Sequence, residues 1–292
     1  MILIVGATGL LGGEICRRLR GRNLPVRALV RAGSPKSAEL STLGVEVSTG
    51  DLRNDTDVEK ACEGVTTVIS TATAMGSKDK SLRLRDVDYT GQLRLLDAAR
   101  RGGVQRYVFI SAAPALSSNA PLIRYKRLVE VAIRASGMRW TNLQPAAFME
   151  VWLGESLGWD ATAGKAMMFG PGDNPMNFVS IHDVAEVAIR CLDDPRFHDV
   201  DVPVGGPDAI SPLQVRAIFE RLSGRRWTTR HVPLLLLRTL RPLVAKFNEA
   251  AASGMAMGAD THASHMQDLS LQGQLGVELT TVEQYAERVL RR

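Results

Sequence analysis

Cysteine, aromatic residues and long apolar runs are all scarce in this chain. Only three cysteines, Cys16, Cys62 and Cys191, are scattered through 292 residues. An odd and dispersed set excludes a disulfide framework and lacks metal-ligand spacing. It points to free buried thiols in a reducing cytoplasm. Aromatic residues make up 5% of the chain, and none is interleaved with basic residues in a cluster. A nucleic-acid partner is therefore not expected, despite a net charge of +5. A polyanionic cofactor accounts for part of that excess. No stretch approaches the roughly 20 apolar residues of a membrane span. The longest, VPLLLLRTLRPLV, is interrupted by Arg238, Arg241 and Pro242. The first residues carry no charged n-region or cleavage site, so no secretory signal is expected.

What is present begins at once. ILIV, residues 2–5, suits a strand covered on both faces. GATGLLG follows, and then LLGGEICRRL with helical apolar spacing. Strand, glycine turn and helix make the dinucleotide-binding arrangement. One glycine permits the turn, a second admits a pyrophosphate to the backbone, and a third allows close helix–strand packing. The helix terminus then favours the phosphate anion. The glycines fall as G-x-x-G-x-x-G rather than G-x-G-x-x-G, so position and context carry the reading.

The second strand, PVRALV, runs into Arg31 where an NAD-binding fold usually places an acidic ribose ligand. A guanidinium there suits the extra phosphate of NADP. Ser34 and Lys36 offer further contacts. NADP(H) is accordingly expected in preference to NAD(H).

Strand and helix patterns alternate from there to residue 145. They include VEVSTGDL, the helix NDTDVEKACEG, VTTVISTAT, a long helix over 81–103, VQRYVFISA, a helix over 120–137 and MRWTNLQP. This alternation predicts an α/β fold, a Rossmann-type doubly wound parallel sheet, with ligands beyond the carboxyl ends of its strands. Residues 1–150 form the predicted NAD(P)-binding domain. Residues 151–292 form mainly a small C-terminal substrate lobe, with about 176–205 returning to the Rossmann core.

GATGLLG, VRALVR, GDL, DYTGQLRLLDAARRGGVQRYVFIS, KRLVEVAIRASGMRWTNLQPAAFME and NFVSIHDVAEVA occur in that order. Together they resemble an atypical short-chain dehydrogenase/reductase. The branch is the NmrA-like, NAD(P)-binding group with its isoflavone-reductase-like enzymes and redox-sensing regulators. The resemblance covers about residues 1–210 and fades after 215. It implies a pyrophosphate loop at Gly6, Thr8, Gly9, Leu10, Leu11 and Gly12, and an NADP-phosphate site at Arg31. It implies an adenine-side turn at Asp51 and Leu52, and a further cofactor loop at Thr71, Ala72 and Thr73. Lys126 matches the active-site lysine and also belongs with the cofactor contacts. Ser111 matches the active-site serine, and Pro145, Ala146 and Phe148 match the nicotinamide-side turn.

The superfamily's Tyr-x-x-x-Lys is absent, because Leu122 stands four residues before Lys126. Tyr125 is adjacent, and on a helix it projects about 100° away. Either Lys126 itself donates the proton, with Ser111 and Tyr125 nearby, or the chain binds NADP(H) without hydride chemistry.

After Pro145 the sequence becomes rich in Met, Trp and Phe. Phe148, Met149, Trp152, Met168 and Phe169 are the expected lining of an apolar substrate pocket. Asp183 is expected as a cap or dipole partner at a helix start, with His182 structural, and Ser211-Pro212 as the start of another helix. HVPLLLLRTLRPLVAKFNEAA reads as an apolar helix, open between a pocket lid and a homodimer contact. Residues 252–269 have low helix propensity and read as mobile. His262 and His265 lack a completing carboxylate set, so no metal is expected.

The expected activity is an NADPH-dependent oxidoreductase on a small apolar carbonyl, enone or quinone. A non-catalytic NADP(H) redox sensor and an epimerase-like enzyme with recycled cofactor are the alternatives. Arg31→Asp is expected to weaken NADPH binding far more than NADH binding in a fluorescence titration. Equal losses would remove the assignment of Arg31.

Overall fold

The computed structural model describes residues 1–77, 79, 81–116, 119–261 and 267–291. The chain divides into two compact units. The first comprises Met1–Ser111, Pro121–Gln144 and Ala185–Val202. The second comprises Ala112–Ala120, Pro145–Val184 and Pro203–Arg292.

The first unit opens with β1 (Ile2–Val5), whose four side chains are all buried, and α1 (Leu10–Gly21). β2 (Val26–Val30), α2 (Ser37–Thr42) and β3 (Glu46–Thr49) follow. Next come α3 (Asp55–Cys62), capped by the Asn54 side chain, and β4 (Thr67–Ser70). A π-helical turn, Arg85–Gly91, leads into α4 (Gln92–Arg101). The helix expected over 81–103 is therefore shorter and wider at its start. There the Thr90 hydroxyl donates to the Arg85 carbonyl five residues back, at 3.2 Å. β5 (Arg106–Ile110), α5 (Pro121–Arg134) and β6 (Arg139–Pro145) complete the succession.

β7 (Ala147–Phe148), α6 (Met149–Trp152), β8 (Lys165–Phe169) and β9 (Met176–Val179) come next in the chain. α7 (Ile181–Arg190) and β10 (Val200–Val204) follow. The seven-stranded sheet has the order β10-β6-β5-β4-β1-β2-β3, and every neighbouring pair from β6 to β3 is parallel. The chain winds from β1 outward to β3, then returns to the other side of β1 as β4. That reversal puts the switch point beyond the carboxyl ends of β1 and β4.

Two arginines tie the first unit together at its back. Arg106, buried, donates to the Cys191 and Phe197 carbonyls at 2.9 and 3.1 Å and also to Thr141. Burial pulls its pKa down to about 10. Arg18 joins Glu14 and Glu186, at 2.7 and 3.0 Å, and links α1 to α7.

The second unit adds β11 (Ala209–Ile210), α8 (Pro212–Ser223), β12 (Thr228–Val232), α9 (Leu234–Ala245), α10 (Glu249–Asp260), α11 (Ser270–Gly273) and α12 (Val282–Leu290). Ser211 caps α8, and Gln214 reaches back to the Ser211 amide. Trp159, Phe219 and Trp227 pack with ring centroids 5.0–5.7 Å apart and anchor its core.

One expectation is corrected in this unit. The stretch read as mobile is helical through Asp260. Its Ala252, Ala256 and Ala259 are buried, and the small residues let α10 lie against α9. Alanine and glycine carry little hydrophobic periodicity, which hid the helix. Residues 262–266, with His262 and His265, lie outside the described residues. Asp183 lies in the first turn of α7, as expected of a dipole partner, while the Ile181 amide donates to Glu150 at 3.0 Å. Asp183 accepts from the Thr280 amide and hydroxyl, both at 2.8 Å.

All three cysteines are free and buried. Burial pushes the Cys16 and Cys191 thiols up to about 12 and Cys62 to about 11. A thiolate is the reactive form. A disulfide reagent at pH 8 is therefore expected to titrate none of the thiols rapidly in the native protein and all three after denaturation. A rapid native reaction would contradict this burial.

Candidate functional site

The site is built on the carboxyl ends of the parallel strands. β1 runs into Gly6, with φ at +93°, a backbone conformation that L side chains rarely adopt. A Cβ on Gly6 would lie 2.5 Å from Thr71 Oγ1 and 2.7 Å from the Ala72 amide. A Cβ on Gly12 would meet the Gly6 carbonyl. The Thr71 amide donates to the Val5 carbonyl at 2.8 Å. Helix, turn and the loop after β4 are thus closed against one another without side-chain volume.

α1 begins at Gly9 with no side-chain cap and no acidic residue in its first turn. The first amides of a helix have no intrahelical acceptor. They and the helix dipole are left to an anion from outside the chain. This fits a dinucleotide pyrophosphate. Leu11 is buried and Leu10 is 60% exposed, so only their backbones serve the turn.

At the end of β2, Arg31 pairs with Asp79 at 2.8 Å, both half-exposed. An exposed ion pair of this kind contributes little to stability. A phosphate can exchange for Asp79 at small cost. Ser34 and Lys36 lie in the turn after Arg31, where the Ser34 amide donates to the Arg31 carbonyl at 3.2 Å. Asp51 is engaged by Arg53, which donates to Asp51 Oδ1 and Oδ2 at 2.9 and 2.8 Å. That guanidinium holds the Asp51 carboxyl below its usual range, with Arg31 adding to the effect. Arg53 was missed in the sequence. Its signal was a second basic residue just beyond the GDL turn.

The loop after β4 is held from beneath. Ala72 accepts from Gln92 at 3.1 Å, and Ser70 donates to Gln92 at 2.7 Å. The Ala74 amide donates to Asp88 at 2.9 Å, and Thr73 also hydrogen-bonds that carboxyl. Asp88 is 1% exposed, and its Oδ1 has no partner. Burial raises its pKa, opposed chiefly by the Lys126 ammonium. Neither Asp88, in the π-helical turn, nor Gln92, at the start of α4 directly after it, is marked by the helical spacing of the sequence.

α5 supplies Lys126, 8% exposed, whose ammonium donates to the Ile110 carbonyl at 2.7 Å. Burial pulls its pKa down, while Asp88 and Glu130 act against that shift. The Ser111 hydroxyl donates to Glu130 rather than facing outward. Glu130, 2% exposed, also accepts from Gln144 at 3.0 Å and Arg127 at 2.6 Å. Tyr125 is buried and stacks on Tyr89 at 5.7 Å.

The remaining candidates belong to the second unit. The Ala146 amide donates to the Val204 carbonyl at 2.8 Å, Pro145 accepts from the Ala113 amide at 3.1 Å, and Phe148 ends β7 half-buried. Trp152, Met168 and Phe169 line a cavity of about 30 Å³, with Trp159, Met176 and Phe178 among its other walls. Trp152 meets Phe169 edge-on at 6.0 Å. Met149 and Met168 are both buried in the apolar cluster.

A doubly wound sheet whose switch point carries a glycine-closed, uncapped helix terminus defines a Rossmann-type protein. The chain belongs to the NmrA-like family, whose model matches residues 1–286. It is 28% identical over 305 residues to the photosystem II assembly factor Ycf39 of Synechocystis sp., covering 100% of this chain and 91% of the relative. It is 32% identical over 240 residues to the NAD(P)H azoreductase of Xenophilus azovorans, covering 81% and 78%. Among solved structures, the triphenylmethane reductase of Citrobacter sp. matches with a TM-score of 0.79 and 22% identity, covering 100% and 99%. At that identity the likeness shows the fold.

Removing the Glu130 carboxylate strands the buried Ser111 and Gln144 donors. Glu130→Ala is expected to cost about 2–3 kcal/mol in urea denaturation, with Glu130→Gln costing less. An unchanged midpoint for Glu130→Ala would show that this cluster does not brace the site.

Proposed function

We infer that the chain is an NADPH-dependent reductase acting on a small apolar carbonyl, enone or quinone. The observation that carries this reading is Lys126, buried at the end of β5 with its ammonium on the Ile110 carbonyl. Gly6, Gly9, Gly12 and the first turn of α1 would hold the pyrophosphate. Arg31, with Arg53 beside it, would hold the adenosine phosphate. Thr71, Ala72 and Thr73 would flank the cofactor along the loop after β4. Bound there, the reduced nicotinamide supplies a hydride.

The chain's own contribution is the proton. Desolvation makes the Lys126 ammonium a stronger acid than a solvated lysine. Ile110 fixes its position, and Asp88 and Glu130 keep the charged form accessible. Lys126 Nζ then gives a proton to the substrate oxygen, directly or through water, and takes the place of the absent tyrosine. The apolar character of the substrate rests on the Met-, Trp- and Phe-rich sequence after Pro145, because the cavity of about 30 Å³ in the second unit has room for about one water. The name of the Xenophilus relative, an NAD(P)H azoreductase, supports the reaction class.

A second reading, a non-catalytic NADP(H) sensor, is favoured by the missing tyrosine. The assembly factor that aligns with the whole chain also favours it. NADPH oxidation against a panel of quinones, enones and carbonyls separates the two. In the reductase reading, Lys126→Ala lowers turnover by about 10²–10⁴-fold and leaves NADPH binding measurable. Turnover of the native protein falls as pH rises through the depressed Lys126 pKa, and that limb disappears in the variant. Unchanged turnover in Lys126→Ala would remove the mechanism.

A further inference from the structure

Among the described residues, nine large apolar side chains are prominently exposed, and five of them are clustered. Leu235, Leu236, Leu240 and Leu243 lie on α9 and Phe247 just beyond it, at 72, 48, 44, 58 and 84% exposure. At about 100° per residue the four leucines occupy an arc of about 140° on one side of α9, and Phe247 follows in the turn after its C-cap. Leu237, on another side, is buried. The Thr239 hydroxyl within the arc donates to the Leu235 carbonyl at 2.9 Å, so it adds little polar demand.

Charge singles out the same segment. From Arg221 to Asn248 the chain has seven basic residues and no acidic one, which exceeds the whole chain's net charge of +5. Arg238 and Lys246 lie beside or within the apolar arc. Three of these cations, Arg238, Arg241 and Lys246, belong to α9 or its C-cap, whereas Arg221, Arg225, Arg226 and Arg230 precede it and Arg221 pairs with Glu283 at 2.8 Å. Among the described residues no helix is long and apolar enough to cross a membrane. The 12 residues of α9 span about 18 Å, short of the roughly 30 Å hydrocarbon core.

We propose that α9 is a membrane-surface helix that docks the protein on an anionic bilayer. The leucines and Phe247 enter the boundary between headgroups and acyl chains, and Arg238 and Lys246 meet the lipid phosphates. A second copy of the chain is a poorer occupant. Pairing two α9 faces would bring two acid-free basic segments together. An anionic lipid surface answers the apolar and the cationic features at once.

The test is flotation of the 292-residue chain with vesicles of phosphatidylcholine alone or mixed equally with phosphatidylglycerol. The chain floats with the anionic vesicles, not with the neutral ones, and molar salt releases it. Leu240→Glu/Leu243→Glu lowers the bound fraction at least tenfold, and circular dichroism and the melting curve show that the variant folds. Should that pair fail to fold, Leu240→Gln/Leu243→Gln replaces it with the same expected loss. Phe247→Trp acquires an emission that shifts to the blue on anionic vesicles and is quenched by brominated acyl chains. The proposal is overturned if the folded native chain stays unbound, or if the glutamate variant floats undiminished. It is also overturned if light scattering finds a dimer that the glutamate variant dissociates without any vesicle binding. Retention by an acidic protein in place of vesicles would overturn it as well.

Discussion

The closing of Gly6 and Gly12 against Thr71 and the Gly6 carbonyl is the contact on which the site depends. Side-chain volume at either glycine would separate α1 from the loop after β4. The uncapped first turn of α1 would then no longer lie at the switch point. A helix end left with unpaired amides is usually a cost to a fold. Here that cost is kept at the one place where the topology opens toward a ligand.

A second constraint supports the first from within the sheet. Asp88, Lys126 and Glu130 bring three ionisable groups into a region almost without water. Each is held by partners of its own: Asp88 by the Ala74 amide, Lys126 by the Ile110 carbonyl, Glu130 by Ser111, Gln144 and Arg127. Buried charges persist only when paired or hydrogen-bonded. The arrangement fixes the positions of the loop after β4 and the end of β5, and it depresses the pKa of Lys126 by desolvation. Positional order and acidity thus have a common origin.

Much of this was legible residue by residue. ILIV followed by GATGLLG, and the alternation through MRWTNLQP, express period and turn chemistry that short-range physics dictates. The parallel sheet and its ligand edge follow from them. Asp88 was not legible, because a helical spacing over 81–103 does not anticipate the wider turn at Arg85–Gly91. Arg53 was overlooked because an exposed arginine in a turn has no period to mark it. α10 was not legible either, because its alanines and glycines bury through closeness rather than hydrophobic weight. Met149 and Met168 read as pocket-lining methionines, but packing seals both in the apolar core of the second unit.

The linear order of residues determined the strand–turn–helix opening, the basic residue at the end of β2, the loss of tyrosine before Lys126 and the acid-free stretch from Arg221 to Asn248. These are properties of neighbours along the chain, and local sterics and charge suffice to read them. Tertiary structure alone decided that Ser111 turns to Glu130, that Asp88 lies beneath the loop after β4, and that five apolar side chains of the α9 segment face outward. Each of these joins or exposes residues by packing, and no spacing along the chain encodes which face a helix presents once its neighbours are in place.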